Sequence, residues 1–200
     1  MAEESPRERK RQATRTRLVD AARGLFAARG YTATGADMIA REAGVSRATF
    51  YLHFRSKADL VTEIMRAVEP EITEAYRHLD AVLADDGGDP TAAVLRWFDS
   101  HLLFWDEHGA EFEAVQQALA HESATAREWF GMLRRTAGAM TSVIRRIGDP
   151  ARAEARVLVQ LMAVERTLSF HRLVGGRDEP LWSDLRHELA RGWVELLDGR

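Results

Sequence analysis

The side chains best suited to recognise another molecule are Arg47, Ala48 and Thr49, which directly follow Ser46. Serine is a preferred helix N-cap, so Ser46 predicts a helix whose first turn exposes the next three residues. An arginine guanidinium can pair with guanine O6 and N7, a threonine hydroxyl can bond to a base or a phosphate, and an alanine methyl suits the thymine methyl. For Arg47, a phosphate contact is the alternative. The four residues therefore predict the base-reading end of a DNA-recognition helix.

A helix-turn-helix over residues 34–57 would hold that end in place. Gly44 lies where the chain must turn sharply and where a Cβ would be costly. Apolar residues flank this glycine at spacings that bury them between two short helices. They are Ile39, Ala40, Ala43, Val45, Phe50 and Phe54. The apolar side of the motif is thus predicted to hold the fold, and the polar side to contact DNA.

A longer pattern surrounds the motif. It comprises Ala21, Leu25, Phe26, Gly30, Tyr31, Thr34, Ile39, Ala40, Ala43 to Ser46, Thr49 to Tyr51, His53, Phe54, Lys57 and Leu60. Over roughly residues 14–60 this pattern strongly resembles the TetR family of bacterial one-component repressors. Two positions depart from the family: Gly35 stands where Thr or Ser is usual, and Ala48 where Gly is common. Gly35 is expected to loosen the start of the second helix and offers no side chain for the phosphate contact usual there.

The resemblance also implies which residues hold the DNA backbone. Thr34, Tyr51, His53 and Lys57 match family positions that contact phosphates, and such contacts set register but carry no sequence information. For His53, a packed surface imidazole is the alternative. The predicted DNA-binding residues are Thr34, Ser46, Arg47, Ala48, Thr49, Tyr51, His53 and Lys57.

Formal charge is segregated along the chain. Residues 1–60 carry 12 Lys and Arg against 7 Asp and Glu, a net of +5, whereas residues 61–200 carry 16 against 24, a net of −8. A basic headpiece on an acidic body would approach DNA by one end, because phosphate neutralisation supplies most non-specific affinity. Residues 1–13 are predicted to form a basic arm that tracks the DNA backbone, with a solubilising disordered tail as the alternative. Its cations are Arg7, Arg9, Lys10 and Arg11, and Arg15 and Arg17 just beyond residue 13 continue the basic segment.

Composition and motifs exclude several other classes of protein. The chain has no cysteine, which excludes disulfides and thiolate chemistry. No apolar run approaches the roughly 20 residues of a membrane span, and the polar start lacks a signal-peptide segment, so a cytoplasmic protein is expected. The sequence has no phosphate loop, Gly-x-Ser-x-Gly elbow or His-Glu-x-x-His motif, and His101, His108 and His121 lack metal-ligand spacing. We therefore expect no enzyme, no catalytic residue, no cofactor and no metal site.

Apolar residues recur at three- and four-residue spacing almost throughout, which predicts an all-α protein of about nine helices. The first runs from about Thr14 to Arg29 and ends at Gly30, the second and third form the motif, and the fourth runs from Ser56 to about Leu83 with a bend at Pro70. The other five are predicted over about 91–107, 110–120, 123–147, 151–173 and 181–197. Residues 14–60 are assigned to a DNA-binding domain and residues 61–200 to a ligand-binding and dimerisation domain.

The body carries many aromatic residues on helix faces, and its overall pattern resembles the EthR-like subgroup of the family. This resemblance implies an apolar tunnel between helices that takes a small apolar ligand. Its expected lining is Trp97, His101, Phe104, Trp129, Leu133, Leu161, Val164 and Trp193. Leu161 and Val164 stand where the subgroup has amides, so the polar contact to a ligand differs. The alternative is that these side chains are plain core.

The last two predicted helices, about 151–173 and 181–197, favour a homodimer. The first is apolar nearly all round, which implies cover on both sides. The second repeats Leu185, Leu189, Trp193 and Leu196 along one face, and Gly192 would permit close helix approach. Two copies joined there would set two headpieces roughly 34–36 Å apart, as a two-fold operator requires.

These features predict a ligand-responsive transcriptional regulator. It would repress as a dimer on a palindromic operator and release DNA when a small apolar or aromatic molecule enters the body. Two alternatives stay open. One is a DNA-binding regulator without a small-molecule inducer. The other is a helical binding or catalytic module that keeps the headpiece as a relic.

Overall fold

The computed structural model describes residues 5–85, 87–174 and 180–197. These residues form ten helices and no strand, which confirms the predicted all-α class. In chain order the helices are α1 (Pro6–Ala33), α2 (Ala36–Glu42), α3 (Arg47–His53), α4 (Lys57–Ala84), α5 (Pro90–Glu107), α6 (Gly109–Leu119), α7 (Ser123–Gly138), α8 (Thr141–Ile147), α9 (Pro150–Leu173) and α10 (Trp182–Glu195). Within the same ranges, no helix is both long and apolar enough to cross a membrane.

Helix α1 begins about two turns before its predicted start, so the predicted basic arm is helical from Pro6 onward, and its residues 1–4 lie outside the described residues. Ser5 is the N-cap, since its hydroxyl accepts a hydrogen bond from the Glu8 N–H at 3.2 Å. Pro6 occupies the first helical position, where its missing N–H needs no partner. At the predicted end, Gly30 has a φ of 76° that interrupts the helical backbone, and helical structure continues beyond this kink to Ala33.

Helices α2 and α3 form the predicted helix-turn-helix. Gly44 has a φ of 66°, which explains the glycine at the turn. Ser46 caps α3 by accepting a hydrogen bond from the Thr49 N–H at 3.0 Å, whereas Gly35 at the start of α2 makes no side-chain cap. Val45 is half-buried. The other expected core residues of the motif are buried, namely Ile39, Ala40, Ala43, Phe50 and Phe54.

The chain divides into two compact units. The first comprises Met1–Ala67 and Ala110–Trp129, and the second comprises Val68–Gly109 and Phe130–Arg200. The helix-turn-helix therefore shares its unit with α6 and the start of α7. Three polar contacts tie these elements to α1 and α4 within the first unit. They are Thr32 N to Gln117 Oε1 (3.2 Å), Arg23 Nε to Glu111 Oε1 (3.1 Å) and Arg66 Nε to Glu128 Oε1 (3.2 Å).

The single helix predicted over residues 123–147 is wrong, because the chain forms two helices, α7 and α8, with a break between them. Met140, the N-cap of α8, makes no side-chain cap. The carboxylate of Asp80 on α4 takes that role by accepting hydrogen bonds from Ser142 N at 3.0 Å and Val143 N at 2.8 Å. A buried side chain distant in sequence thus starts α8.

In the second unit, α10 packs against α5 and α9. A Cβ at Gly192 would lie 2.7 Å from Gln160 Nε2, so α10 lies close to α9 at this point, but the contact is with the end of a flexible side chain that can move aside. The face of α10 that the sequence grouped together is divided in the structure. Trp193 and Leu196 are buried within the unit, while Leu185 is exposed.

Candidate nucleic-acid interface and body core

The first turn of α3 is accessible, as base reading requires. Ser46, Arg47 and Ala48 are exposed, and Thr49 is half-buried. The Thr49 hydroxyl lies 2.9 Å from Ser46 Oγ, so these two side chains hold each other at the helix start. The structure therefore places the predicted N-cap, Ser46, directly before the three residues predicted to meet base edges.

Arg47 has a protein partner that the sequence did not indicate. Its Nη1 lies 2.6 Å from Oδ2 of Asp37 on α2, and its Cζ lies 5.6 Å from the centroid of the Tyr51 ring. The Arg47 and Asp37 side chains are 64% and 61% exposed, so their ion pair contributes about 0–1 kcal/mol. A bidentate contact to guanine discriminates by about 1–3 kcal/mol. Arg47 can therefore exchange Asp37 for a base at little cost.

Two of the predicted phosphate contacts are used inside the first unit. Thr34 is 1% exposed, and its hydroxyl donates to the Gly30 carbonyl at 2.8 Å, which favours a structural role. Lys57 Nζ donates to the carbonyls of Tyr31 at 2.8 Å and Thr34 at 3.1 Å. Partial burial lowers the pKa of Lys57. An ammonium has three N–H donors, so one stays available for a phosphate.

Arg15, predicted among the cations that track DNA, instead joins three helices. Its Nε and Nη2 donate to the Glu63 carboxylate at 3.0 and 2.8 Å, and its Nη1 donates to the His53 carbonyl at 3.0 Å. The guanidinium also lies 4.3 Å from the centroid of the Phe54 ring. The hydrogen bond from Arg15 lowers the pKa of Glu63. Arg15 therefore fixes α1 against the end of α3 and the start of α4.

The start of α1 and the end of α3 line one groove. Its residues are Arg7, Glu8, Arg11, Leu52 and His53. Desolvation, followed by the charges of Arg11 and Arg15, lowers the pKa of His53, so its imidazole is mainly neutral at pH 7 and can donate a hydrogen bond without carrying charge. The helical start that places Arg7 beside α3 was signalled by the sequence Ser5-Pro6-Arg7-Glu8, which has capping-box spacing.

The predicted ligand residues fall in both units. Trp129 belongs to the first unit, and the other seven belong to the second. Phe104 is half-buried, and the remaining six of that second-unit set are buried: Trp97, His101, Leu133, Leu161, Val164 and Trp193. The structure thus places most of the expected lining in one core.

Aromatic rings form a continuous cluster in that core. The Tyr76 ring centroid lies 5.2 Å from that of Trp97, 5.3 Å from that of His101 and 6.2 Å from that of Trp193. His101 also stacks on Trp97 at 4.8 Å and on Phe104 at 5.8 Å. A small aromatic ligand would meet ring faces and edges throughout this cluster.

A carboxylate that sequence reasoning did not single out as functional lies in the same cluster. Glu165 Oε1 accepts a hydrogen bond from the Tyr76 hydroxyl at 2.9 Å and lies 3.2 Å from His101 Nε2. Burial and the neighbouring Glu165 raise the pKa of Tyr76 well above its usual value. The sequence held a signal that could have revealed Glu165. It is a glutamate between apolar Val164 and Leu168, on a helix predicted to be apolar nearly all round.

The described ranges contain no group of three or more His, Cys, Asp or Glu side chains placed to hold a metal ion. An exposed, serine-capped helix after a glycine turn is the geometry of a helix-turn-helix motif, the class of fold that places a recognition helix against DNA. Residues 18–64 match the model of the bacterial regulatory proteins of the tetR family. The headpiece of this chain therefore belongs to the TetR family.

Curated relatives match part of the chain. The regulator AcrR of Shigella flexneri is 38% identical over 92 residues, which cover 46% of this chain and 41% of AcrR. The regulator EthR of Mycolicibacterium smegmatis is 24% identical over 127 residues, which cover 64% of this chain and 57% of EthR. The chain thus spans about half the length of these curated relatives.

Similarity to solved structures extends over nearly the whole fold. The TetR-family repressor FadR of Thermus thermophilus, solved in complex with lauroyl-CoA, superposes with a TM-score of 0.61 at 22% identity. The match covers 92% of this chain and 94% of FadR. At this identity the likeness establishes the fold.

Proposed function

We propose that this chain represses transcription by binding a palindromic operator as a homodimer and releases DNA when a small apolar or aromatic molecule binds its body. The observation that carries the proposal is the exposed first turn of α3, where Arg47 and Ala48 face outward on a Ser46-capped helix. Arg47 reads a base, and Tyr51, His53 and Lys57 hold phosphates. The motif of residues 14–60 is the DNA-binding domain, extended at its start by the basic first turns of α1.

The proposed dimer interface lies on α9 and α10. Exposed apolar side chains recur along one side of α9 at three- and eight-residue intervals, and Leu185 adds another from α10. Those on α9 are Val159, Met162, Phe170 and Leu173. Exposed apolar surface of this extent on neighbouring helices is unusual for a monomer. A second copy would bury it and link two headpieces for a two-fold operator.

The proposed ligand response is a shift between two shapes of the body. The aromatic cluster around Tyr76 offers ring faces for an apolar ligand. Helix α4, Lys57–Ala84, contributes residues to both compact units, so a ligand-favoured shape of the second unit has a continuous helix through which to act. Release requires that the ligand prefer one shape over the other, since equal affinity would shift nothing.

Selection of bound fragments from genomic DNA, using the full chain, tests the DNA part. Fragments sharing an inverted repeat are expected, and sedimentation of the complex should show two protomers per site. Recovery of fragments with no common sequence would overturn specific operator binding. Anisotropy of labelled operator, titrated with apolar aromatic compounds, then tests release.

The second candidate is a DNA-binding regulator without an inducer. It is favoured by the tight packing of the predicted ligand residues, since Trp97, Leu133 and Trp193 are almost fully buried against their own unit. A body that binds no apolar compound, on a protein that selects an operator, would identify this candidate.

A further inference from the structure

We propose that the buried cluster of Glu165, Tyr76, His101, Trp97 and Trp193 recognises a protonated amine carried on an apolar body. We name these residues the Glu165 cluster. The ligand class would then be hydrophobic organic cations, in contrast to acids or neutral hydrocarbons. This inference rests on the ligand response proposed above and specifies its chemistry.

The first reason is an incompletely satisfied buried carboxylate. Glu165 is 4% exposed, and its Oε1 is bonded to the Tyr76 hydroxyl and contacts His101. Its Oε2 is buried and has no hydrogen-bond partner. Among the described residues, no Lys or Arg pairs with Glu165. Burying a carboxylate in this state is costly, and a cation with N–H donors would supply what it lacks.

The second reason is the chemistry of the surrounding atoms. When neutral His101 donates its Nε2–H to Glu165, its Nδ1 is an acceptor, and Nδ1 is buried without a partner. The Glu165 cluster therefore contains two acceptor atoms that lack a hydrogen-bond donor, Glu165 Oε2 and His101 Nδ1. An alkylammonium carries up to three N–H groups. Trp193 Nε1, also buried without a partner, is a donor and would suit a polar atom elsewhere on the ligand.

The third reason is the aromatic surround. The Tyr76 ring contacts the rings of Trp97 and Trp193, and aromatic faces attract cations, more strongly when both are removed from water. A carboxylate head group would instead face Glu165 and be repelled. A neutral alcohol could satisfy one acceptor but would gain neither the ionic nor the cation–π attraction. Charge thus separates the three ligand classes.

Close packing of these side chains has a consequence for regulation. Tyr76, His101 and Trp193 are almost fully buried, so a ligand must select a shape in which the rings part. A ligand that binds only the parted shape has the differential affinity that release of an operator requires. The same contacts would therefore provide both recognition and response.

The test uses three compounds of nearly identical shape: 4-phenylbutylammonium, 4-phenylbutanol and n-pentylbenzene. Binding to the full-length protein is measured by calorimetry, alongside Glu165→Gln, which keeps the side-chain size and removes the charge. Glu154→Gln on the same helix is the matched control, because Glu154 pairs with exposed Arg134 at 2.6 Å. We expect the ammonium to bind most tightly and to lose about ten- to hundredfold in Glu165→Gln but not in Glu154→Gln.

The outcomes separate this inference from the proposed function. Tighter binding of the alcohol or the hydrocarbon than of the ammonium overturns the cation class while leaving a ligand-responsive regulator. Equal loss in both variants, or binding unaffected by Glu165→Gln, overturns the site. Ammonium binding through Glu165 without release of a selected operator supports the site and counts against the proposed ligand response. Melting of Glu165→Gln without ligand shows whether the variant is folded.

Discussion

Replacing Arg47 by alanine separates base reading from DNA holding. The ion pair between Arg47 and Asp37 is exposed, so its loss should change stability by at most about 1 kcal/mol. Loss of a bidentate base contact costs about 1–3 kcal/mol per half-site, or roughly 5- to 150-fold in affinity, and a dimer carries two. Binding should therefore fall far more than stability.

The assay is fluorescence anisotropy on the selected operator, its single-base variants and a random duplex, at several salt concentrations. Arg47→Ala should flatten the preference at one position of each half-site and leave the random duplex nearly unaffected. Lys57→Ala is the contrasting variant, since it should weaken all sequences alike and lower the salt slope by about one. Its melting must be followed too, because Lys57 also bonds to the Tyr31 and Thr34 carbonyls. Equal loss of operator and random DNA in Arg47→Ala would show that Arg47 holds a phosphate.

Three further predictions concern the dimer, the headpiece and the body. Leu185→Glu, on the exposed side of α10, should sediment as a monomer. The control is Leu103→Glu, which replaces another exposed leucine, on α5, and should stay dimeric. Two dimeric variants would refute the interface. A phosphate beside His53 would raise the lowered pKa of the His53 imidazole, so DNA binding should take up protons. Operator affinity should therefore rise as the pH falls from about 7.5 to 6. The same pH dependence of affinity in His53→Gln would refute this. Leu133 is 3% exposed in a closely packed core, so Leu133→Trp should lower stability by about 1–3 kcal/mol, and a melting temperature close to wild type would show that the core holds a preformed cavity.

Local signals carried most of the fold prediction. The bounds predicted for α5, α6, α9 and α10 lie within two residues of those observed. Helices α5 and α9 begin at a proline after an aspartate cap, α6 begins at a glycine, and α10 begins two residues after Pro180. The break between α7 and α8 could not be found in this way. Its cap is Asp80, which lies 62 residues before Ser142. The local signal is Gly138 at the end of α7, and a single glycine within a helical pattern does not by itself fix a break. A helix cap supplied by a residue distant in sequence cannot be predicted from local sequence patterns.

The family resemblance predicted where side chains lie better than it predicted which contacts they make. Ser46 and Arg47 are exposed where the resemblance placed them. Thr34 occupies its family position too, yet its hydroxyl is bonded to the Gly30 carbonyl. Asp37 was missed because its relation to Arg47 exists only once α2 and α3 pack. Sequence position therefore specifies the surface, and packing determines which groups on it are already engaged.

The same distinction changes how the charge of the headpiece should be counted. The net of +5 over residues 1–60 treats every cation alike. Arg15 is hydrogen-bonded to Glu63, and Lys57 is hydrogen-bonded to two carbonyls. Arg47 forms an ion pair with Asp37 before DNA binds. Each phosphate neutralised contributes about 0.9 to the salt slope, but only cations that reach phosphates count. At the start of α1, Arg7 and Arg11 line the groove beside α3, with Arg11 3.5 Å from Glu8. We expect this segment to add to the non-specific attraction, so that the basic residues predicted as an arm would act as part of a helical interface.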